Sequence, residues 1–158
     1  DYVSAHVGND VRIKWPNDLY WGDRKAGGIL IENVYHGKNW KWAVAGTGIN
    51  INEDRFDPEL INPVSLYQIT GTQYNVPDLA HELLAQLMAS AARLQAGETA
   101  AIMEQYNQRL YKLNEAVTLR NGDTVFSTTI RGVTEEGRLI TYDTEEGTFD
   151  FGEVAWLR

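Results

Sequence analysis

Two blocks near the start of the chain carry residue types that could bind a charged small molecule. Residues 14–18 place a lysine, an asparagine and an aspartate around a Trp-Pro step, and Lys25 follows the aspartate by seven positions. After one alanine come Gly27 and Gly28, which open a run of strand-forming residues. Glycine lets a backbone approach a ligand closely. The pattern therefore predicts that adjacent strands bind a charged ligand through two cations, an amide and a carboxylate.

Each of these polar residues also has an ordinary structural interpretation. Asn17 and Asp18 are frequent turn residues, because their side chains bond to nearby backbone groups. A lysine at the end of a strand, such as Lys14, commonly points into solvent. Lys25 differs because its stem must cross apolar surface beside a buried strand, and its ammonium group then needs a partner. An anionic ligand would supply that partner.

A second glycine-bearing segment, residues 46–52, follows later in the chain. Gly46 and Gly48 alternate with strand-forming residues before Asn50. Glycines inside a strand mark a place where another group approaches the backbone. Asn50 has two interpretations: it caps the end of the strand, or it projects an amide towards the same cavity as Gly28.

The elements that would position these residues are strands. Val11–Lys14 is predicted to be a short strand that ends in a turn at residues 16–18. Residues 26–35 are apolar on both faces and are predicted to lie at the centre of a covered sheet. A turn at residues 36–39 joins them to residues 40–51, which makes the two runs a hairpin.

Two helices are predicted to follow. Pro77 and Asp78 are start signals for the first helix, whose leucines recur at helical spacing, so we expect it to pack on the core. Gly97 ends this helix, and residues 98–113 form a second helix with its own apolar stripe. The predicted core positions are Leu79, Leu83, Leu84, Leu87, Met88, Ala91 and Leu94, then Ile102, Tyr106, Leu110 and Leu113.

From residue 116 onward the sequence changes to short β-like runs. Turn signals at residues 121–123, 136–137 and 146–147 separate them, which predicts consecutive hairpins in a small barrel. The chain is therefore predicted to be α+β with two domains. Residues 1–113 would form a mixed β-sheet with packing helices, and residues 114–158 would form the β-barrel.

Composition limits the classes of function. The chain of 158 residues has 14 basic and 22 acidic side chains, a net charge of −8, which argues against a general binder of nucleic-acid phosphates. The basic residues concentrate in the first quarter, which suits a small anionic ligand. No run approaches the about 20 apolar residues that a membrane span requires. The chain has no cysteine, and the cytoplasm is the predicted compartment.

Other chemistries find little support in the sequence. The three histidines, His6, His36 and His81, are far apart and lack the spacing of metal ligands. No Ser-His-Asp order and no phosphate-loop glycine pattern is present. The sequence therefore does not indicate a hydrolase.

Three blocks together resemble the biotin protein ligases. They are residues 14–20, residues 24–32 and residues 46–52, in the order and spacing of that family. The run of residues 63–66, the helix pair and the small barrel are also similar to the layout of the family. The resemblance implies a class II synthetase-like catalytic domain, present in part, followed by an SH3-like barrel.

The resemblance also implies an activity. Biotin protein ligases join biotin to ATP with a divalent metal, Mg²⁺, to give biotinyl-5′-AMP, and a lysine of a biotin carboxyl carrier protein then attacks that anhydride. By similarity, Lys25 would contact the biotin carboxylate and the α-phosphate, where negative charge builds during adenylation. Asp18 would lie beside the acyl phosphate. It would either hold the metal or orient and deprotonate the incoming amine, and both roles remain open.

The resemblance gives further residues a place in the site. Asn17 and Asn50 would donate hydrogen bonds to the adenylate, and Lys14 would orient the loop that carries Asn17. The remaining site residues are backbone positions: Gly28, Ile29 and Leu30 would line the biotin slot, and Gly46 and Gly48 would leave room beside it.

One part of the family pattern is missing. The upstream segment of the family, with a loop that closes over the adenylate, is not found in these residues, so the chain looks like the carboxyl-terminal part of a ligase. Adenylation needs such a loop for positioning and for excluding water. Two alternatives are a non-catalytic SH3-like module that docks a protein and a related lipoate ligase. An exposed sheet edge beside the hairpin could also pair two copies as a homodimer.

Overall fold

The computed structural model describes residues 1–157. Contacts divide the chain into two compact units. The amino-terminal unit comprises Asp1–Arg12 and Asn17–Leu83, and the carboxyl-terminal unit comprises Ile13–Pro16 and the chain from Leu84 onward. The four residues that precede Asn17 therefore belong with the second unit, although the residues on both sides of them belong with the first.

The first half of the chain forms three helices and four strands. They are α1 (Tyr2–Val7), β1 (Val11–Lys14), β2 (Asp18–Trp21), β3 (Arg24–His36), β4 (Asn39–Ile49), α2 (Leu66–Thr70) and α3 (Val76–Gln95). The strands form one sheet in the order β1-β2-β3-β4. The ladders β2–β3 and β3–β4 are antiparallel, which confirms the predicted hairpin, and Gly37 makes its turn with a φ of 62°. β2 and α1 were not predicted from the sequence.

The prediction of a covered central strand is wrong for most of β3. Ala26 and Gly27 are buried, but Leu30, Ile31 and Tyr35 are exposed by 60%, 57% and 60%. β4 pairs with β3 from Gly27 to His36, whereas β2 pairs only with the first residues of β3, 24–28. Among residues 1–157, no layer of side chains covers the far part of the strand, so its apolar residues face outward.

The helices also differ from their predictions. Leu79 of α3 is buried and two further leucines are half-buried, but Leu84, Met88 and Leu94 are exposed, so the predicted packing stripe is covered only in part. The next helix, α4, spans Thr99–Gln108 and ends before Leu110, which is buried in the irregular segment that follows. The predicted extension of this helix to residue 113 is wrong, because Arg109 closes its last turn.

The last part of the chain forms five strands. They are β5 (Ala116–Asn121), β6 (Thr124–Val133), β7 (Leu139–Tyr142), β8 (Glu146–Phe149) and β9 (Ala155–Leu157). They form an antiparallel sheet in the order β8-β7-β6-β5-β9. Gly122 and Gly137 make the two turns predicted there, each with a positive φ. The predicted turn at residues 146–147 is wrong, since these residues start β8. The predicted barrel closure is not confirmed, because β8 and β9 are the sheet edges among the described residues.

Each unit has its own apolar core. Val3, Val11, Leu66 and Leu79 pack together in the amino-terminal unit. The core of the carboxyl-terminal unit consists of Trp15, Leu110, Leu119, Ile130, Val133 and Leu139. Burial of such side chains is the main stabilising term of each unit. Across residues 1–157, none of the helices has the length and the apolar character needed to cross a membrane.

Candidate functional site

Lys25 lies at a point where the backbone is held from two sides. On one side, Lys25 pairs with Tyr20 of β2. On the other side, the Lys25 N–H donates to the Asn62 carbonyl at 2.7 Å, and the Val64 N–H donates to the Lys25 carbonyl at 2.8 Å. The strand start is therefore fixed by a segment almost forty residues further along the chain.

The neighbouring Arg24 strengthens the same junction. Its guanidinium donates two hydrogen bonds to the Pro63 carbonyl, at 2.7 and 3.2 Å, and one to Gln68. Charge-assisted bonds of this kind are stronger than neutral ones. Arg24 thus holds the segment that in turn holds the Lys25 backbone.

Lys25 and Asp18 form the charged pair of the site. The Lys25 Nζ lies 2.6 Å from the Asp18 Oδ1, with side-chain exposures of 45% and 29%. A pair this exposed contributes little to stability. The Lys25 ammonium remains accessible to solvent, so an anionic ligand could bind it together with Asp18 or in place of Asp18. The structure thus brings together the two residues that the sequence analysis proposed as catalytic.

The turn that carries Asn17 and Asp18 sits directly on β3. The Ile29 N–H donates to the Asn17 carbonyl at 2.9 Å, and Asp18 pairs with Gly28. A Cβ atom added at Gly28 would lie 3.1 Å from the Asp18 Oδ1 and 3.3 Å from the Asn17 carbonyl oxygen. Gly28 therefore allows the close approach of this turn.

Three glycines form a shallow surface beside the charged pair. Gly28 is directly opposite Gly48, and Leu30 is directly opposite Gly46. Paired and alternate residues of an antiparallel ladder share one face of the sheet. A Cβ atom at Gly48 would meet no atom within 4 Å, and one at Gly46 would meet only the Leu30 carbonyl oxygen at 3.8 Å. We call the face of Gly28, Leu30, Gly46 and Gly48 the glycine trough.

The trough and the charged pair together have a defined chemical capacity. Backbone and the exposed Leu30 side chain offer an apolar, flat floor, since no side chain rises from the three glycines. Asp18 stands across Gly28, with the Lys25 ammonium on its carboxylate. This arrangement suits a ligand with an apolar body and an anionic end, because the cation lies where the trough meets β2.

The Asn50 side chain acts as a clamp, since it connects two backbone segments by hydrogen bonds. Its amide Nδ2 donates to the carbonyls of Lys25 and Val64, at 3.3 and 3.1 Å. Its backbone N–H donates to the Ala26 carbonyl, and its own carbonyl accepts from Leu66. The side chain thus ties β3 to the 62–66 segment. The predicted hydrogen bond from Asn50 to an adenylate stays a prediction.

Gly27 was not among the site residues predicted from the sequence. A Cβ atom at this position would collide with the Gly48 carbonyl oxygen of β4. Gly27 is therefore required for the spacing of the two strands that form the trough. The signal was present in the paired glycines, but the sequence could not tell which of them faces the ligand and which faces the neighbouring strand.

A metal site of protein ligands alone is not present in residues 1–157. No group of three or more His, Asp or Glu side chains is arranged to hold an ion there. Mg²⁺ commonly binds through one or two carboxylates together with substrate phosphates. Asp18 therefore fits Mg²⁺ only where a nucleotide supplies the other ligands.

Lys14 belongs to the carboxyl-terminal unit. Its Nζ lies 5.2 Å from the ring centroid of Trp156 and 6.0 Å from that of Tyr111. Cation–π contacts of this length favour a fixed side chain. These contacts hold the end of the strand that precedes Asn17, and the predicted role of Lys14 in orienting the loop stays a prediction.

The sequence is similar to known ligases over most of its length. Residues 3–50 match the Biotin/lipoate A/B protein ligase family. The bifunctional ligase/repressor BirA of Escherichia coli is 31% identical over 141 residues, which is 87% of this chain and 44% of BirA. The biotin–[acetyl-CoA-carboxylase] ligase of Paracoccus denitrificans is 29% identical over 81% of this chain and 55% of its own length. The chain thus spans about half the length of these relatives.

Solved structures show the same fold. The biotin protein ligase of Aquifex aeolicus superposes with a TM-score of 0.79 at 21% identity, over 99% of this chain and 71% of the other. The same enzyme in complex with biotin and ATP gives a TM-score of 0.79 at 22% identity, over 99% of this chain and 68% of that one. At this identity the likeness establishes the fold.

Proposed function

We propose that this chain, which is similar to the biotin protein ligases, belongs to an ATP-dependent ligase. The enzyme would activate biotin as biotinyl-5′-AMP and transfer it to a lysine of a biotin carboxyl carrier protein. The observation that carries the proposal is the Lys25–Asp18 pair, 2.6 Å apart, beside the glycine trough. The proteins to which the chain is similar include the bifunctional ligase/repressor BirA of Escherichia coli and the biotin–[acetyl-CoA-carboxylase] ligase of Paracoccus denitrificans.

In the first step, a biotin carboxylate oxygen bonds to the α-phosphorus of ATP, and the bond to the pyrophosphate oxygen breaks. Negative charge grows on the α-phosphoryl oxygens during this displacement. The Lys25 ammonium is charged, and its backbone is held from both sides. A fixed cation aimed at developing charge stabilises the transition state more than the ground state.

In the second step, the amine of the carrier lysine attacks the acyl carbon, and AMP leaves. The attacking nitrogen must lose a proton, and a nearby carboxylate could orient the amine and accept that proton. Asp18 is the carboxylate of the site. Its alternative role is to hold Mg²⁺ together with the phosphates, where the ion would neutralise phosphate charge.

The trough would receive the fused ring system of biotin. Its valerate tail would then end at the Lys25 ammonium. We propose that Gly28, Ile29 and Leu30 line this slot and that Gly46 and Gly48 keep it open. Asn17 and Asn50 are the proposed contacts to the adenylate.

Three further features belong to the proposal. Residues 114–158 would form an SH3-like barrel domain, for which the antiparallel order β8-β7-β6-β5-β9 is the support. β4 is an edge of its sheet, so two copies could pair there. The cytoplasm, where ATP and carrier proteins meet, is the proposed compartment, and the net charge of −8 disfavours nucleic acid as a partner.

The test is the exchange of labelled pyrophosphate into ATP by the complete gene product that contains this chain. We expect exchange that depends on biotin, and transfer of biotin to a carrier domain when one is added. Lipoate in place of biotin is the parallel arm: exchange with lipoate alone would identify a lipoate ligase. Exchange with neither acid would contradict both ligase functions and leave the docking module as the better account.

A further inference from the structure

The four residues before Asn17 are held firmly within the carboxyl-terminal unit. The Ile13 N–H donates to the Arg109 carbonyl, and the Tyr111 N–H donates to the Ile13 carbonyl, both at 2.8 Å. Trp15 is only 4% exposed, and its indole N–H donates to the Gly137 carbonyl at 2.8 Å. This anchored segment leads directly into the turn that carries Asn17 and Asp18.

The last contact before the turn comes from Tyr106 of α4. Its hydroxyl donates to the Pro16 carbonyl at 2.9 Å. The Pro16 carbonyl and the Asn17 N–H belong to one planar peptide group. A hydrogen bond to that oxygen therefore restrains the orientation of the Asn17 N–H as well.

The next peptide group is restrained from the other side. The Asn17 carbonyl accepts a hydrogen bond from Ile29 of β3 at 2.9 Å. Asn17 thus lies between two fixed hydrogen bonds, one at each of its peptide groups. Asp18, the next residue, places its carboxylate on the Lys25 ammonium.

We propose that Tyr106 is a positioning residue for the ligase reaction, and that its hydrogen bond to Pro16 sets the turn that presents Asn17 and Asp18. The proposal rests on the proposed function, because it assigns Tyr106 a part in that chemistry. Burial raises the pKa of Tyr106 to about 12. The hydroxyl therefore stays protonated and able to donate throughout the neutral pH range.

The adjacent residue offers a matched control. Asn107 makes two hydrogen bonds to β6, from its Nδ2 to the Val133 carbonyl at 3.1 Å and from the Val133 N–H to its Oδ1 at 2.7 Å. It lies on the same helix and in the same unit as Tyr106, but it holds a strand of the sheet and not the turn. Asn107→Ala should therefore destabilise this unit without loosening residues 15–20.

The experiment compares Tyr106→Phe, Asn107→Ala and the unchanged complete gene product. Phenylalanine keeps the ring in the core and removes only the hydroxyl. Biotin-dependent pyrophosphate exchange is measured per active site, and amide hydrogen exchange is followed in the peptide that spans residues 15–20. We expect Tyr106→Phe to lower kcat about fivefold, the effect of one lost hydrogen bond, with KM for biotin little changed.

The same variant should exchange the amide hydrogens of residues 15–20 about fivefold faster, whereas Asn107→Ala should leave both this rate and kcat per active site unchanged. Two results would overturn the proposal. One is an equal loss of kcat in the two variants, and the other is a Tyr106→Phe variant in which kcat or the amide hydrogen exchange of residues 15–20 is unchanged. Absence of biotin-dependent exchange in the unchanged protein would instead refute the proposed function. Hydrogen exchange alone would then decide whether Tyr106 holds the turn.

Discussion

The β3–β4 hairpin has two ends that the chain supports in very different ways. At the end with Lys25 and Asn50, backbone and amide hydrogen bonds reach the 62–66 segment, and Ala26 and Gly27 are buried. At the other end, Tyr35 and Trp42 are 60% and 59% exposed. The hairpin is thus held by hydrogen bonds at the end with the charged pair, whereas its most apolar part is exposed to solvent. Apolar character alone does not determine which part of a strand is held.

The strongest test of this contrast replaces the cation at the supported end. Lys25→Ala should raise the barrier to biotin-dependent pyrophosphate exchange by about 3–4 kcal/mol, because it removes the charge aimed at the phosphoryl oxygens. That corresponds to a loss in rate of about a hundredfold to a thousandfold. The measurement is steady-state exchange by the complete gene product.

Lys38→Ala is the matched control for that substitution. Lys38 lies in the hairpin turn at the exposed end. Lys38→Ala therefore tests whether the loss of any lysine charge from the hairpin lowers the rate of pyrophosphate exchange. We expect activity within a factor of about two of the original, since exposed charges contribute little. Full exchange activity in Lys25→Ala would remove Lys25 from the mechanism.

Substitutions at Gly27 and Gly48 distinguish a glycine that is needed for strand packing from one that leaves room for a ligand. Gly27→Ala should lower the free energy of unfolding by about 2–3 kcal/mol, since the new Cβ atom would meet the Gly48 carbonyl oxygen. Gly48→Ala should leave stability almost unchanged, because its Cβ atom would meet nothing within 4 Å. Urea unfolding of both variants measures the difference.

We expect the more stable of the two glycine variants, Gly48→Ala, to be the one that binds biotin less well. The methyl group of Gly48→Ala would enter the trough, so we expect a higher KM for biotin from a stable protein. Equal stabilities of the two variants would contradict the close approach of β3 and β4 at Gly27.

The Asn50 amide is the next largest contribution at the supported end. Asn50→Ala removes the donor to the Lys25 and Val64 carbonyls, and both oxygens lose a partner at a half-buried position. We expect a loss of about 1–2 kcal/mol in the free energy of unfolding. Thr72→Ala is a suitable comparison, since Thr72 is exposed. A loss in Asn50→Ala no larger than in Thr72→Ala would mean that the clamp contributes nothing.

The sequence predicted which residues of the candidate site lie together better than it predicted what surrounds them. Lys25, Asp18 and the glycines stood out because their types and spacing report local backbone needs, and the hairpin register then brings them together. The segment 62–66, which fixes the Lys25 backbone, was not visible as a partner, because a single parallel bridge leaves no periodic signal. The same holds for Tyr106, which reads as one more apolar position of a helix until its hydroxyl is seen on Pro16.

Burial was the least predictable property. The leucine stripe of α3 and the apolar run of β3 both have the pattern of core elements, yet Leu84, Met88 and Ile31 are exposed. Periodicity tells which residues share a face, but it does not tell whether another layer covers that face. Turn signals were more reliable, since Gly37, Gly122 and Gly137 meet a local demand for positive φ that depends on nothing distant.

The smallest expected effect lies at the exposed end of the hairpin. Trp42→Thr should change the free energy of unfolding by no more than about 0.5 kcal/mol, because a mostly exposed side chain loses few contacts and threonine suits a strand. Trp15→Phe is the opposite case, because Trp15 is buried and its indole N–H is hydrogen-bonded to Gly137. That variant should lose several times more stability. A large loss in Trp42→Thr that grows with protein concentration would show that a second copy covers this end, and the contrast between the two ends would then belong to the isolated chain alone.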